Sequence, residues 1–206
     1  LNVTFITRDW QGYSSQINYA IQMLKDKYDW VLRLDADEFL DADFLRWFHE
    51  NSFEEVSGVY IPRSIFFEGK KIRFGGVGKR NVLRLFRPEV AECEDRLNDE
   101  HIIVNGATCI AGGALYDENL KGFRSFFEKH VHYATLESRN SSSEIATNNF
   151  YRRGKSAIYD RAPLSYRAFL YFLFRLFVLG GFLDGKKGLK FLFWQCLIYR
   201  LVVDEY

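Results

Sequence analysis

Residues 30–40 read Trp-Val-Leu-Arg-Leu-Asp-Ala-Asp-Glu-Phe-Leu (WVLRLDADEFL). Val31–Leu34 is a short, mostly apolar run that predicts a buried strand. The acids Asp35-Ala36-Asp37-Glu38 follow at once. In extended backbone, Asp35 and Asp37 at i and i+2 point to the same side. In an open parallel sheet the carboxyl ends of strands line the ligand crevice. Carboxylates there suit Mg²⁺ or Mn²⁺, whose shell is completed by waters and phosphate oxygens. A solvated acidic turn is the plain alternative. The chain carries its own control: Asp41-Ala42-Asp43 repeats the pattern, but directly before a helix. There Asp41 reads as an N-cap and Asp43 as a first-turn acid favoured by the helix dipole.

Outward from this segment the chain alternates strands and helices. Asn2–Thr7 is β-rich and predicts a strand. Ser14–Lys25 predicts a helix, with Ser14 or Ser15 as cap and Ile17, Ala20, Ile21 and Leu24 as its apolar face. A second helix is expected from about Asp43 to Glu50. Val59–Phe67 and Val82–Phe86 predict strands, with Gly69, Gly75, Gly76 and Gly78 in the loops between. Ile102–Val104 and Ala114–Tyr116 are weaker candidates, and helices are expected to dominate from Phe126. The order implies an α/β fold with a mostly parallel layer, a mixed region and a helical tail.

Charge and aromatic content single out the tail. Of 36 aromatic residues in the chain, 14 fall in residues 151–206, which also carry ten Lys/Arg against four Asp/Glu. Residues 1–150 carry 18 Lys/Arg against 23 Asp/Glu, so the near-neutral total hides two opposite halves. Leu164–Leu183 is nearly apolar but interrupted by Arg167, Arg175 and Gly180-Gly181. Its longest uncharged run, Leu176–Leu183, is far short of the ~20 residues of a spanning helix. Leu189–Val203 is a second apolar helix with Lys186, Lys187, Lys190 and Arg200 at its edges. Such helices either lie in a membrane interface or pack as core. The apolar fraction of 48% and charged fraction of 27% exclude a disordered chain, a collagen-like fibre and a multi-span membrane protein. Cys93, Cys109 and Cys196 are far apart and form no CxxC pattern, which argues against structural zinc and for a reduced compartment. The opening residues show no signal-peptide pattern.

WVLRLDADEFL resembles the strand and DxD motif of bacterial family 2 glycosyltransferases of the GT-A fold. DWQGYSSQINYAI resembles the loop and helix before DxD in those enzymes, VLRLFRP a later strand, and NDEHIIVNG the segment bearing their catalytic base. KHVHYA, GFLDGKKGLKFLF and YRLVVDEY resemble later segments of a subgroup that builds surface polysaccharide. The resemblance covers most of the chain in the right order. It implies a Rossmann-like GT-A sheet that begins at a later strand, as in an N-terminally truncated member. It divides the chain into a partial catalytic domain, residues 1–135, and a helical C-terminal region, residues 136–206.

The family transfers a sugar from a nucleotide-diphosphate donor to an acceptor hydroxyl, usually with inversion. The resemblance therefore implies a divalent metal, Mn²⁺ or Mg²⁺, held by Asp37 and Asp35, with Asp35 orienting metal or ribose. It implies a base at Glu100, with Asp99 as second choice, and a third metal ligand at His130, with His132 competing. It places Gln16, Asn18 and Arg84 at the donor, although helix-surface polarity accounts for Gln16 and Asn18 equally well. Arg84 and Arg87 can bind phosphate or pair with nearby acids. His101 stands beside the expected base, and Trp10 and Tyr13 can wall a sugar or pack in a core. A lipid-linked or saccharide acceptor at the cytoplasmic face of the bacterial inner membrane fits the basic tail, notably Arg152, Arg153, Lys155, Arg161 and Arg167. The runner-up enzyme, a sugar-nucleotide nucleotidyltransferase, needs a glycine-rich phosphate loop that the sequence does not show. A non-catalytic membrane-surface domain is the other alternative. No basic-aromatic pattern matches a nucleic-acid module.

Overall fold

The computed structural model describes residues 3–77, 80–95, 101–118 and 163–198, with Arg124, Glu128 and Val131. The fold is mixed α/β. Two compact units form from interleaved stretches: Leu1–Asp35, Ala42–Pro62 and Asn81–Gly113 make the first, and Ala36–Asp41, Arg63–Arg80 and Ala114–Tyr206 the second.

In the first unit α1 (Tyr13–Leu24) lays Ile17 and Ile21 on a core of Leu83, Phe86 and Ile102. Its N-cap is Gly12 at φ 99°, with no side-chain cap, so neither Ser14 nor Ser15 caps it. Ser14 is buried inside the first turn. Strand β1 is only Val31–Leu32, antiparallel to β5 (Arg80–Phe86), with Val31 opposite Phe86 and Leu32 opposite Leu85. Helix α2 (Ala42–Glu50) buries Phe44. Its rings continue into an aromatic cluster, with Trp47 and Phe48 each 5.3 Å from Phe53, and Trp30 5.7 Å from Phe53. A second ribbon pairs β6 (Ala91–Cys93) with β7 (Ile102–Val104).

Strand β3 (Gly58–Phe67) runs through both units. In the first, Gly58–Tyr60 pair in parallel with β8 (Thr108–Ile110). In the second, Arg63–Phe66 pair in parallel with β9 (Leu115–Glu118). The change of partner falls at Pro62, which has no N–H to give a ladder. Still in the second unit, β3 turns through Glu68 and Gly69 into β4 (Lys70–Lys71), and β9 pairs antiparallel with β2 (Glu38–Leu40). Helix α3 (Leu164–Leu173) widens into a π-type turn over Phe174–Val178. Gly180, at φ 68°, breaks the path. A 3₁₀ turn (Gly181–Asp184) leads into α4 (Gly185–Leu192) and a second π-type stretch, Phe193–Ile198. Phe172, Leu176, Phe191, Leu192 and Cys196 pack on Phe67, Ile72 and Val77.

Three expectations are corrected. The sheet is mixed, with β1–β5, β2–β9 and β3–β4 antiparallel, and not mostly parallel. Short turns such as Glu68-Gly69 join antiparallel neighbours only, because parallel pairs need a crossover of about a dozen residues or more. The Asn2–Thr7 strand does not form over its described residues, 3–7. Val3 and Phe5 lie in solvent there, without the packing that makes β-branched and aromatic residues strand formers. The tail's second helix also begins earlier than read, at Gly185. The helices expected from Phe126 fall largely outside the described residues.

Candidate functional site

The side chains of Asp35 and Arg84 meet where β1 leaves the sheet. The register of β1 against β5 continues one step past Leu32, so the Arg33 N–H donates to the Arg84 carbonyl at 2.8 Å. This brings the Arg84 guanidinium within reach of Asp35, three residues past the end of β1. Arg84 Nη2 donates to Asp35 Oδ2 at 3.0 Å, and Arg33 Nη2 donates to Asp35 Oδ1 at 3.4 Å. Arg84 is buried, whereas the Asp35 side chain is 45% exposed. A buried guanidinium needs a counter-charge, and Asp35 supplies it from the solvent side.

Asp35 closes the first stretch of the first unit, and the chain enters the second unit at Ala36. Asp37 lies there, half-buried, with its backbone carbonyl accepting from the Glu118 N–H at 3.0 Å. This bond is the start of the β2–β9 ladder, which continues with Glu38 opposite Asp117. The strand that follows the acids was not foreseen. Its short EFL pattern is legible only once β9 is known to lie beside it. Arg63 on β3 forms an ion pair with Asp117, a pairing the sequence reading also missed.

The donor chemistry of Asp37 fits a hard cation such as Mg²⁺ or Mn²⁺. Asp35 fits less well as a direct ligand. Each of its oxygens already accepts from an arginine, and two guanidinium charges beside it oppose a divalent cation. It fits better as a fixed acceptor for a ligand hydroxyl. Among the described residues no three His, Cys, Asp or Glu side chains come together for a metal. Asp99, Glu100, His130 and His132 lie outside the described residues.

The remaining candidates are placed as follows. Asn18 bridges α1 to β6, its Nδ2 donating to the Cys93 carbonyl at 2.9 Å and its Oδ1 accepting the Cys93 N–H at 2.8 Å. Gln16 donates to the Asp9 carbonyl at 3.1 Å, tying α1 to the preceding loop. Arg87 donates to the carbonyls of Val56 and Phe53, both at 3.0 Å, and lies 4.7 Å over the Trp30 ring. Its guanidinium orders a loop. His101 Nδ1 stands 3.7 Å from Glu94. Trp10 and Tyr13 pack edge to face at 4.7 Å and are both exposed, so they form a small aromatic step on the surface and not a core contact. In the second acidic repeat Asp41 immediately precedes α2, and Asp43 sits in its first turn, paired with Arg46 at 3.2 Å.

The second unit contains an acid that sequence reading passed over. Asp184 is 3% exposed, and its Oδ2 accepts the N–H groups of Arg73 and Phe74 at 2.9 and 2.8 Å. Lys70 donates to the Asp184 carbonyl, and Arg175 to the carbonyl of Gly75. The signal was available: Asp184 is the single acid in residues 163–198, set between glycines. Isolated acids in apolar surroundings are paired.

No family model, no curated protein and no solved structure matches the chain.

Proposed function

We propose that the chain acts as a metal-dependent glycosyltransferase of the GT-A type, resembling family 2 enzymes of bacterial surface-polysaccharide assembly. The observation that carries this reading is the Arg84–Asp35 contact. It joins two of the segments that carry the resemblance, LRLDADEF and VLRLFRP, through residues 49 positions apart. DWQGYSSQINYAI reaches the same unit through α1.

The reaction would move a sugar from a nucleotide-diphosphate donor to an acceptor hydroxyl with inversion. Asp37 would hold Mn²⁺ or Mg²⁺, with His130 as a further ligand; the bound cation supplies neutralisation of charge on the departing diphosphate. Asp35, oriented by Arg84, would accept a hydroxyl of the donor ribose. Gln16 and Asn18 would act by fixing α1 against its loop and β6. Glu100, or Asp99 beside it, would take the proton of the acceptor hydroxyl. The acceptor oxygen then bonds to the anomeric carbon as the bond to the diphosphate breaks, and the electron pair leaves with the diphosphate. The basic, aromatic tail suits a lipid-linked acceptor at the cytoplasmic face of the inner membrane.

Calorimetric titration with a panel of nucleoside-diphosphate sugars and Mn²⁺ tests this reading. At least one donor should bind to the wild-type chain and fail to bind to Asp37→Ala. A panel without any binding, or equal binding by that variant, would refute it.

A further inference from the structure

We propose that α3, the bend at Phe177–Leu183 and the start of α4 form a wedge that inserts into the interfacial layer of an anionic phospholipid membrane. This deepens the membrane contact put forward above and rests on that part of it, not on sugar transfer.

Helix α3 and its π-type turn are apolar on two faces. Ala168, Phe172 and Leu176 face the core. Tyr166, Phe169, Leu170, Phe174, Phe177 and Val178 follow the same helical spacing on the other side and are exposed. A helix apolar all round requires a second apolar environment. The exposure continues through the bend, where Phe177, Val178 and Phe182 are 63%, 69% and 53% exposed. The rings of Phe177 and Phe182 lie 6.5 Å apart across the turn, so the two sides of the bend present one surface.

The shape of this element selects between crossing a membrane and lying in it. Among the described residues no single helix is long and apolar enough to cross. Tyr166–Val178 and Gly181–Leu197 meet that test only together, and they are bent by 73°. The bend is fixed from behind. Buried Asp184 grips the Arg73 and Phe74 N–H groups, and Gly181 packs against Leu192 where a Cβ would lie 2.1 Å from its Cδ1.

Charge commits the wedge to one occupant. Residues 163–198 hold five Lys/Arg and one acid; Asp184 and Arg175 are buried, Lys190 pairs with Glu68, and Lys186 and Lys187 are exposed, with Lys187 donating to the Glu68 carbonyl. The exposed Lys186 and Lys187 stand just past the apolar tip, at the level where a shallowly inserted element meets headgroups. Anionic headgroups complement them, whereas a second copy of this face would bring like charges together.

Co-sedimentation of the full chain with vesicles tests the proposal. The wild-type chain should pellet with vesicles of phosphatidylcholine and phosphatidylglycerol in equal amounts, and less with phosphatidylcholine alone. The paired substitution Phe177→Ser with Phe182→Ser should weaken binding about tenfold or more. Phe177→Leu with Phe182→Leu should retain it, and Lys186→Glu should lower it about tenfold on anionic vesicles only. Both phenylalanines are exposed, so folding, read by circular dichroism, should not change. A wild-type chain left in the supernatant, or a serine pair that pellets like wild type, would overturn the proposal. So would a concentration-dependent dimer without vesicle binding that the serine pair abolishes, which would assign the face to a second copy. Any of these would leave nucleotide-sugar binding untouched.

Discussion

Arg84, buried on β5, donates at 3.0 Å to Asp35, the exposed residue three positions past the end of β1. The pair explains why an acid stands at this position whether or not a ligand is present. Asp35→Ala leaves the guanidinium without this counter-charge. Because Asp35 is half in water, the expected loss is about 1–2 kcal/mol and not the ~3–5 kcal/mol of a fully buried pair. Urea denaturation of the variant reads this directly.

Asn18 gives a prediction that separates a positioning group from a ligand contact. Asn18→Ala removes both hydrogen bonds to Cys93 and should cost about 2 kcal/mol in denaturant unfolding. Asn18→Asp keeps an acceptor for the Cys93 N–H but faces the Cys93 carbonyl with a second acceptor, so it should be no better tolerated. A variant with unchanged stability would mean that the amide does not clamp α1 to β6.

How much of this was legible in the sequence follows the physics of each element. Helices α1 and α2 were legible from their helical apolar spacing, and β3 from the apolar, β-forming residues on both sides of Pro62-Arg63-Ser64. The sheet's mixed direction was not, since antiparallel pairing depends on which strands meet. Strand Val59–Phe67 reads the same beside β8, β9 or β4. Asp35 was legible as a candidate and Arg84 as a partner for some nearby acid, but which acid was not, because 49 residues separate the two. Asn2–Thr7 misled because β-rich composition requires a neighbour to become a strand. The structural role of Asp184 was not legible because the backbone N–H groups it accepts from, those of Arg73 and Phe74, lie about 110 residues away.

The turn between the two tail helices should be sensitive to single methyl groups. At Gly181 an added Cβ would meet Leu192 Cδ1 at 2.1 Å and the Arg175 carbonyl at 2.9 Å. Gly181→Ala should therefore cost about 1–3 kcal/mol, the usual range for overpacking. Asp184→Ala strands the Arg73 and Phe74 N–H groups and should cost about 2–4 kcal/mol, with Asp184→Asn milder because an acceptor oxygen remains. Thermal melts of the three variants would show the order.

Alkaline stability should report on Cys196. Burial is the main cause that pushes its thiol up from 9.0 to about 11, with Arg175 working weakly the other way. The folded state thus keeps a proton that the unfolded chain gives up near 9. Its contribution is intact below pH 9 and is lost as pH rises from 9 to about 11. Cys196→Ala should lose this part of the alkaline destabilisation. At neutral pH the thiol should react with iodoacetamide far more slowly in the folded protein than in urea.

The central claim is that Asp37 holds a divalent cation for a nucleoside diphosphate, while Asp35 is held by arginine. Electron paramagnetic resonance of Mn²⁺ in the presence of a nucleoside diphosphate tests it most directly. The account predicts stoichiometric Mn²⁺ uptake by the wild-type chain, a loss of affinity of about tenfold or more in Asp37→Ala, and a smaller loss in Asp35→Asn. Uptake unaffected by Asp37→Ala, or absent from the wild-type chain, would contradict it.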